Sequence, residues 1–234
     1  MNKEEFINQI RQEYNIVKKL SEKNDSQVYL IKHKQLDKKL ILRFSDVAIP
    51  LYSLLKTITF ENLPTVFEVY SLSDCQTIIE EYIDGITVGE ALESGTFNYD
   101  GAKKIIIDIC DALEVLHTNG FVHRDIKPEN IIISNNGTVK LIDFNASRIN
   151  KPIASKDTTV LGTIGYAAPE QFGISQTDAR ADIYSLGILL NVLLTGHHPS
   201  DKIVNGLAKS IVLKCTQIDP NKRYQTVKQL RQAL

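Results

Sequence analysis

Residues 123–130 read His123-Arg124-Asp125-Ile126-Lys127-Pro128-Glu129-Asn130, and further on come Asp143-Phe144-Asn145. Asp125 falls in a tight loop that ends at a proline and leads into a strand. Its carboxylate can accept the proton of a hydroxyl. Lys127, two residues on in an extended segment, points the same way. Asn130 and Asp143 supply oxygen ligands of the hard kind that Mg²⁺ prefers. Between them, residues 130–134 and 139–142 read as strands, joined by Asn135-Asn136-Gly137. Asn-Gly is a strong hairpin signal, so the hairpin brings Asn130 and Asp143 together.

Outward from this centre the chain falls into a β-rich N-terminal part and a helical C-terminal part, an α+β layout. Residues 3–20 have helical spacing, with Phe6, Ile7, Ile10, Tyr14 and Val17 on one stripe. Short β-like runs follow at 27–32, 39–44, 66–70 and 76–82, with a turn at Leu36-Asp37-Lys38 and a short helix over 49–57. The tone changes after Asp84-Gly85, which sets the seam at 83–88. Residues 100–118 form an amphipathic helix through Ala102, Ile105, Ile106, Ile109, Leu113 and Leu116. Residues 147–162 are polar and read as a mobile loop. Helices are expected over 178–195, 203–216 and 224–234. There is no internal repeat.

Composition narrows the field. The chain has 234 residues, 43% hydrophobic and 24% charged, with a net charge of −1. It can bury a real core, and no bulk field draws it to nucleic acid or an anionic membrane. Cys75, Cys110 and Cys215 are odd in number and far apart, so free buried thiols are expected rather than a disulfide framework. No apolar run approaches the ~20 residues needed to cross a bilayer. The N-terminus has no signal segment, and the expectation is a whole, cytoplasmic, untethered protein.

Phosphoryl transfer needs a carboxylate beside the incoming hydroxyl, cations against developing charge, and ligands that hold Mg²⁺ on the phosphates. Asp125, Lys127, Asn130 and Asp143 supply these. They are followed by Gly162-Thr163, by Tyr166-Ala167-Ala168-Pro169-Glu170, by Asp182 and by Arg223. In this order and at these spacings the set resembles the eukaryotic-like (Hanks-type) protein kinases. Residues 162–199 are similar to small bacterial Ser/Thr kinases of Firmicutes. The match covers roughly residues 15–234 and is strongest from 80 onward.

The resemblance implies a bilobal kinase-like fold over 1–234, with an N-lobe at 1–83, a hinge at 83–88 and a C-lobe at 89–234. It implies ATP and Mg²⁺ or Mn²⁺ as cofactors and an unknown protein as substrate. Asp125 would be the catalytic base and Lys127 the γ-phosphate contact. Asn130 and Asp143 would bind the metal. Glu170 and Arg223 would form the buried pair that anchors the activation segment, and Asp182 would brace the catalytic loop. His123 and Phe144 would stack as packing groups. Lys127 and Thr163 match the Ser/Thr form, in which Thr163 bridges the base and the lysine. Thr158 or Thr159 would take an activating phosphate that pairs with Arg124.

The nucleotide-facing half departs from the family pattern. The glycine-rich loop would fall at Ser21, Lys23 and Ser26, and the strand lysine at Arg43. Leu51 stands where a helix glutamate is usual, and residues 47–60 hold no acid. Val28, Ile41 and Ile132 join Arg43 and Glu80 as the implied nucleotide-binding set. Ile41 replaces a smaller adenine-capping residue, and Glu80 takes an apolar gatekeeper position. Asn145 ends the metal motif where glycine is usual. An Arg43–Glu80 ion pair is expected to substitute for the missing lysine–glutamate pair. Two readings stay open: an active Ser/Thr kinase, and a pseudokinase that acts as a regulatory or scaffolding module.

Overall fold

The computed structural model describes residues 1–23, 25–149, 163–172 and 177–234. The chain divides into two compact units: residues 1–60 with 64–84, and residues 61–63 with 85–234.

The first unit runs α1 (Lys3–Glu13), β1 (Tyr14–Lys23), β2 (Ser26–His33), β3 (Lys39–Ser45), α2 (Leu51–Leu55), β4 (Val66–Ser71) and β5 (Gln76–Glu81). The strands form one antiparallel sheet in the order β1-β2-β3-β5-β4. A capping box starts α1: Asn2 accepts from the Glu5 N–H, and Glu5 accepts from the Asn2 N–H. The helix expected over 3–20 stops at Glu13. Tyr14 is already extended, at φ −123 and ψ 147, and β1 follows without a linker. Tyr14 and Val17 share the helical spacing of α1, which hides the change. As an outer strand, β1 is largely exposed, and its register shifts between Ile16 and Lys18 and between Lys19 and Ser21. Such bulges break the alternation that marks a strand.

One face of this sheet carries α1. Phe6 and Ile10 pack on Ile31, Leu40, Leu42, Phe44, Cys75 and Ile79. Each of these two burials contributes about 1.5–3 kcal/mol. Because side chains alternate along a strand, Ile41, Arg43, Ile78 and Glu80 look to the opposite face. There α2, shorter than the expected 49–57, buries Leu51, Tyr52 and Leu55. Gln76 Oε1 accepts from the Ile49 N–H at 2.8 Å, and Lys56 pairs with Glu68 at 2.6 Å, so α2 is tied to the sheet at both ends.

The second unit runs β6 (Gly85–Thr87), α3 (Val88–Glu93), α4 (Tyr99–Thr118), β7 (Phe121–Val122), β8 (Ile131–Ser134), β9 (Val139–Leu141), β10 (Arg148–Ile149), α5 (Arg180–Thr195), α6 (Leu207–Cys215) and α7 (Val227–Ala233). The turn at 135–137 joins β8 to β9, with Gly137 at φ 85, and β6 completes a three-stranded sheet. Strands β6, β7 and β10 are too short to show a period, so the sequence reading passed over them. It also missed α3, although Thr87 and Glu90 carry the capping-box signature and form that box. Residues 61–63 edge the sheet: the Leu141 N–H donates to the Asn62 carbonyl at 2.9 Å, and Asn62 Nδ2 donates to the Val139 carbonyl at 2.8 Å.

Helix α4 buries the apolar face read from its spacing. Helix α5 is buried almost all round and ends at Gly196, in the left-handed region at φ 72. At Gly187 an added Cβ would lie 2.4 Å from the Cys215 Cβ, so the glycine lets α5 and α6 close together. All three cysteines are free and buried. Among the described residues no helix is long and apolar enough to cross a membrane.

Candidate active site

Asp182 begins the construction of the site. It sits in the first turn of α5, fully buried. Its two carboxylate oxygens accept from the backbone N–H groups of His123, at 3.0 Å, and Arg124, at 2.8 Å. His117, from the last turn of α4, places Nε2 2.8 Å from the same carboxylate. Burial raises the Asp182 carboxyl, but these partners outweigh it and hold it below the usual carboxylate range. The loop so held is sharply bent, with Arg124 in the left-handed region at φ 73. His123 lies edge-on to Phe144 with ring centroids 5.4 Å apart. Burial pushes its imidazole down, so the ring packs as a neutral group.

Asp125 follows, anchored on every side. Oδ1 accepts from the Thr163 hydroxyl at 2.7 Å and from the Thr163 N–H at 3.1 Å. Oδ2 accepts from Asn130 Nδ2 at 2.9 Å and pairs with Lys127 Nζ at 2.9 Å. Lys127 also donates to Thr163 Oγ1 at 2.6 Å, so the threonine bridges Asp125 and Lys127. Burial raises the Asp125 carboxyl, but hydrogen bonds from Lys127 and Thr163 prevail and keep it low. Asp125 is therefore ionised at neutral pH.

The short turn Pro128–Asn130 delivers Asn130 next to β9. The Ile142 N–H donates to the Asn130 carbonyl at 2.9 Å, which sets Asn130 beside the start of the Asp143 segment. Asp143 also takes the left-handed region, at φ 63. The negative charges of Asp182, Asp125 and Asp143 favour the protonated His123 ring, but burial outweighs them. The Asn130 amide group is spent on Asp125, through its carbonyl at 2.8 Å and its carboxylate, which turns the amide oxygen to other use. An amide oxygen beside a carboxylate is the donor set a small hard cation takes when substrate phosphates complete the shell. The residues present fit Mg²⁺ or Mn²⁺.

The segment after Thr163 is fastened by Glu170 and Arg223. The pair is bidentate, at 2.6 and 2.9 Å, with side chains 5% and 0% exposed. Arg223 also donates to the carbonyls of Gln217, Arg180 and Ile218, so all five of its N–H groups are used. Its guanidinium lies 5.0 Å from the Tyr184 ring centroid. Gln171 ties this segment to the catalytic loop: Nε2 donates to the Arg124 carbonyl at 2.8 Å, and Oε1 accepts from the Ala168 N–H. Sequence reading missed Gln171 and His117. Gln171 follows Glu170 directly, and His117 is a lone polar group ending an apolar helix face; neither spacing flags a role.

In the first unit, Arg43 and Glu80 form the expected ion pair. Arg43 Nη2 and Nε approach Glu80 Oε1 at 3.2 and 3.3 Å, with side chains 7% and 6% exposed. Arg43 is cross-strand from Val28, and Glu80 from Ile41, so these four share one face of the sheet. Leu51 is buried at the start of α2 and brings no charge. Ile132 lies on β8 of the second unit, half-buried. Thr158 and Thr159 lie outside the described residues.

The polar centre around Asp125 and the hairpin that carries Asp143 define a protein kinase domain. A family model described as the protein kinase domain matches residues 12–233, and the chain belongs to that family. Within it the chain is a Hanks-type member, allied to bacterial serine/threonine kinases. It is 33% identical over 204 residues to the serine/threonine-protein kinase PknB of Mycolicibacterium smegmatis, covering 73% of this chain and 33% of the relative. It is 32% identical over 195 residues to a probable serine/threonine-protein kinase of Clostridium perfringens, covering 72% and 28%. A probable PknB of Lactococcus lactis is 34% identical over 142 residues, covering 60% and 23%. The chain spans about a third or less of the length of these curated relatives.

Proposed function

We propose that the chain transfers the γ-phosphoryl group of ATP to a serine or threonine hydroxyl of a protein. The observation that carries this reading is the Asp125 carboxylate, held ionised between Lys127, Thr163 and Asn130. All four of its lone-pair directions are occupied, so an incoming hydroxyl must take the place of one donor. Lys127 is the donor free to move, because a γ-phosphate offers it a stronger anionic partner. The displaced position then receives the substrate hydroxyl and orients it. As the new O–P bond forms and the bond to the β,γ-bridging oxygen breaks, the hydroxyl proton passes to Asp125, and ADP leaves. A divalent cation, held by Asn130 and Asp143, would supply charge neutralisation on the phosphates. Arg43, Val28, Ile41 and Ile132 are the residues assigned to the nucleotide, and Glu80 joins them through its ion pair with Arg43.

The second reading, a pseudokinase, is favoured by the first unit. Ser21 and Lys23 lie within β1 and Ser26 opens β2, where the family pattern has glycines, and Arg43 replaces the lysine. Side chains at those positions restrict the backbone's approach to phosphates. The two readings separate in one assay: labelled ATP, Mg²⁺ or Mn²⁺ and myelin basic protein, beside an Asp125→Ala control. Transfer lost in the control supports the enzyme, and no transfer by the unaltered chain supports the module. Thr158 and Thr159 are proposed phosphate acceptors, with Arg124 as partner. An active protein whose mass spectrum shows no phosphate on residues 155–163 removes that part.

A further inference from the structure

Arg43 and Glu80 stand on adjacent strands of one antiparallel sheet. Arg43 is cross-strand from Ile78, and Glu80 is the next residue of β5 on the same face. The pair is thus a diagonal neighbour contact fixed by the register of β3 and β5. Helix α2 contributes only apolar and aromatic groups to this face. Its residues hold no acid, and Tyr52 sets its ring 5.9 Å below the Arg43 guanidinium. The Gln76 bond to the Ile49 N–H and the Lys56–Glu68 pair hold the helix against the sheet. A long, flexible cation would otherwise sample many rotamers. The Glu80 carboxylate and the Tyr52 ring both narrow that choice.

We infer that Glu80 is the positioning residue for the phosphate-binding cation of this chain, an acid supplied by β5 and not by α2. This deepens the kinase reading and rests on it, through the assignment of Arg43 to the nucleotide phosphates. Its consequence is that the cation is organised before nucleotide arrives, and that no movement of α2 makes or breaks the pair. Glu80 does not touch nucleotide in this account. It acts through Arg43, so its effect must follow the phosphates and not the base.

The test compares binding of Mg·ADP and of adenosine by calorimetry, for the unaltered chain and for Glu80→Gln. The chain is expected to bind Mg·ADP more tightly than adenosine. Glu80→Gln is expected to weaken Mg·ADP about tenfold, the scale of one charge-assisted contact, and to leave adenosine within about twofold. Equal loss of both ligands makes Glu80 a merely structural residue and overturns the inference, as does no loss of either. Should Glu80→Gln fail to fold, the double variant Arg43→Met with Glu80→Met removes both charges and is expected to fold. It should bind adenosine and lack the Mg·ADP advantage; an advantage that survives overturns the inference. If the unaltered chain prefers neither ligand, or binds neither, the nucleotide reading falls and takes this inference with it.

Discussion

In the second unit, Asp125 accepts bonds from Lys127, Thr163 and Asn130, and Arg223 spends every N–H it has. In the first unit the sheet persists while its polar groups have been exchanged: serines and a lysine where the family has glycines, Arg43 for lysine, and Glu80 on a strand in place of an acid on a helix. Proton acceptance and the placing of two oxygen ligands depend on tightly set geometry, so one residue cannot stand in for another. Holding a polyanion against a cation is a looser demand. It can be met by a different cation, oriented by a different carboxylate, on a different element.

The largest effect expected is also the sharpest test of that contrast. Asp125→Ala should lower transfer to protein about a thousandfold, within the range ascribed to general bases, while Mg·ADP affinity stays within about twofold. A variant that loses both would show that the two tasks are not divided as described. Next, Glu170→Gln should strand the buried Arg223 charge and cost about 3–5 kcal/mol, read as a lowered denaturation midpoint. Phe6→Ala should cost about 3 kcal/mol through the α1 face of the sheet. Mg·ADP affinity measured on its folded fraction should match that of the unaltered chain, since Arg43 looks to the other face.

Gly187→Ala is expected to cost about 1–3 kcal/mol, because the Cys215 Cβ is fixed by its backbone and α5 and α6 must move apart to admit the new methyl. The smallest effect is a displacement along the pH axis. Lys127 and Thr163 donate to the charged form of Asp125 and so hold its carboxyl low. Thr163→Val withdraws one donor, the protonated form gains, and the acid limb of kcat/KM should move to higher pH. An unmoved limb would mean that the threonine contributes geometry and no electrostatics.

The two units also differed in how plainly they could be read. Asp125, Lys127, Asn130 and Asp143 stand close in sequence or across a tight hairpin, so local spacing was enough to bring them together. Thr163, Glu170 and Arg223 came from motif order, not from any visible contact. Arg43 and Glu80 could be paired in advance because each had lost the partner or surroundings its position expects. Strand β1 was misread because an outer strand with two bulges buries too little to show a period of two. Gln171 and His117 escaped notice because their partners are backbone groups or a distant buried acid, and no spacing encodes either.

Residues 61–63 belong with the second unit although both flanks, Phe60 and Pro64, belong to the first. The chain therefore crosses between the units three times, and no single cut frees the helical part intact. A fragment starting at Gly85 would leave the buried Leu141 N–H and the Val139 carbonyl without the Asn62 groups that satisfy them. It would open a strand edge just upstream of Asp143, inviting self-association at the very hairpin that leads to that residue. Dissection of this protein should keep that short insertion, either by retaining the whole chain or by grafting the tripeptide back onto the β9 edge.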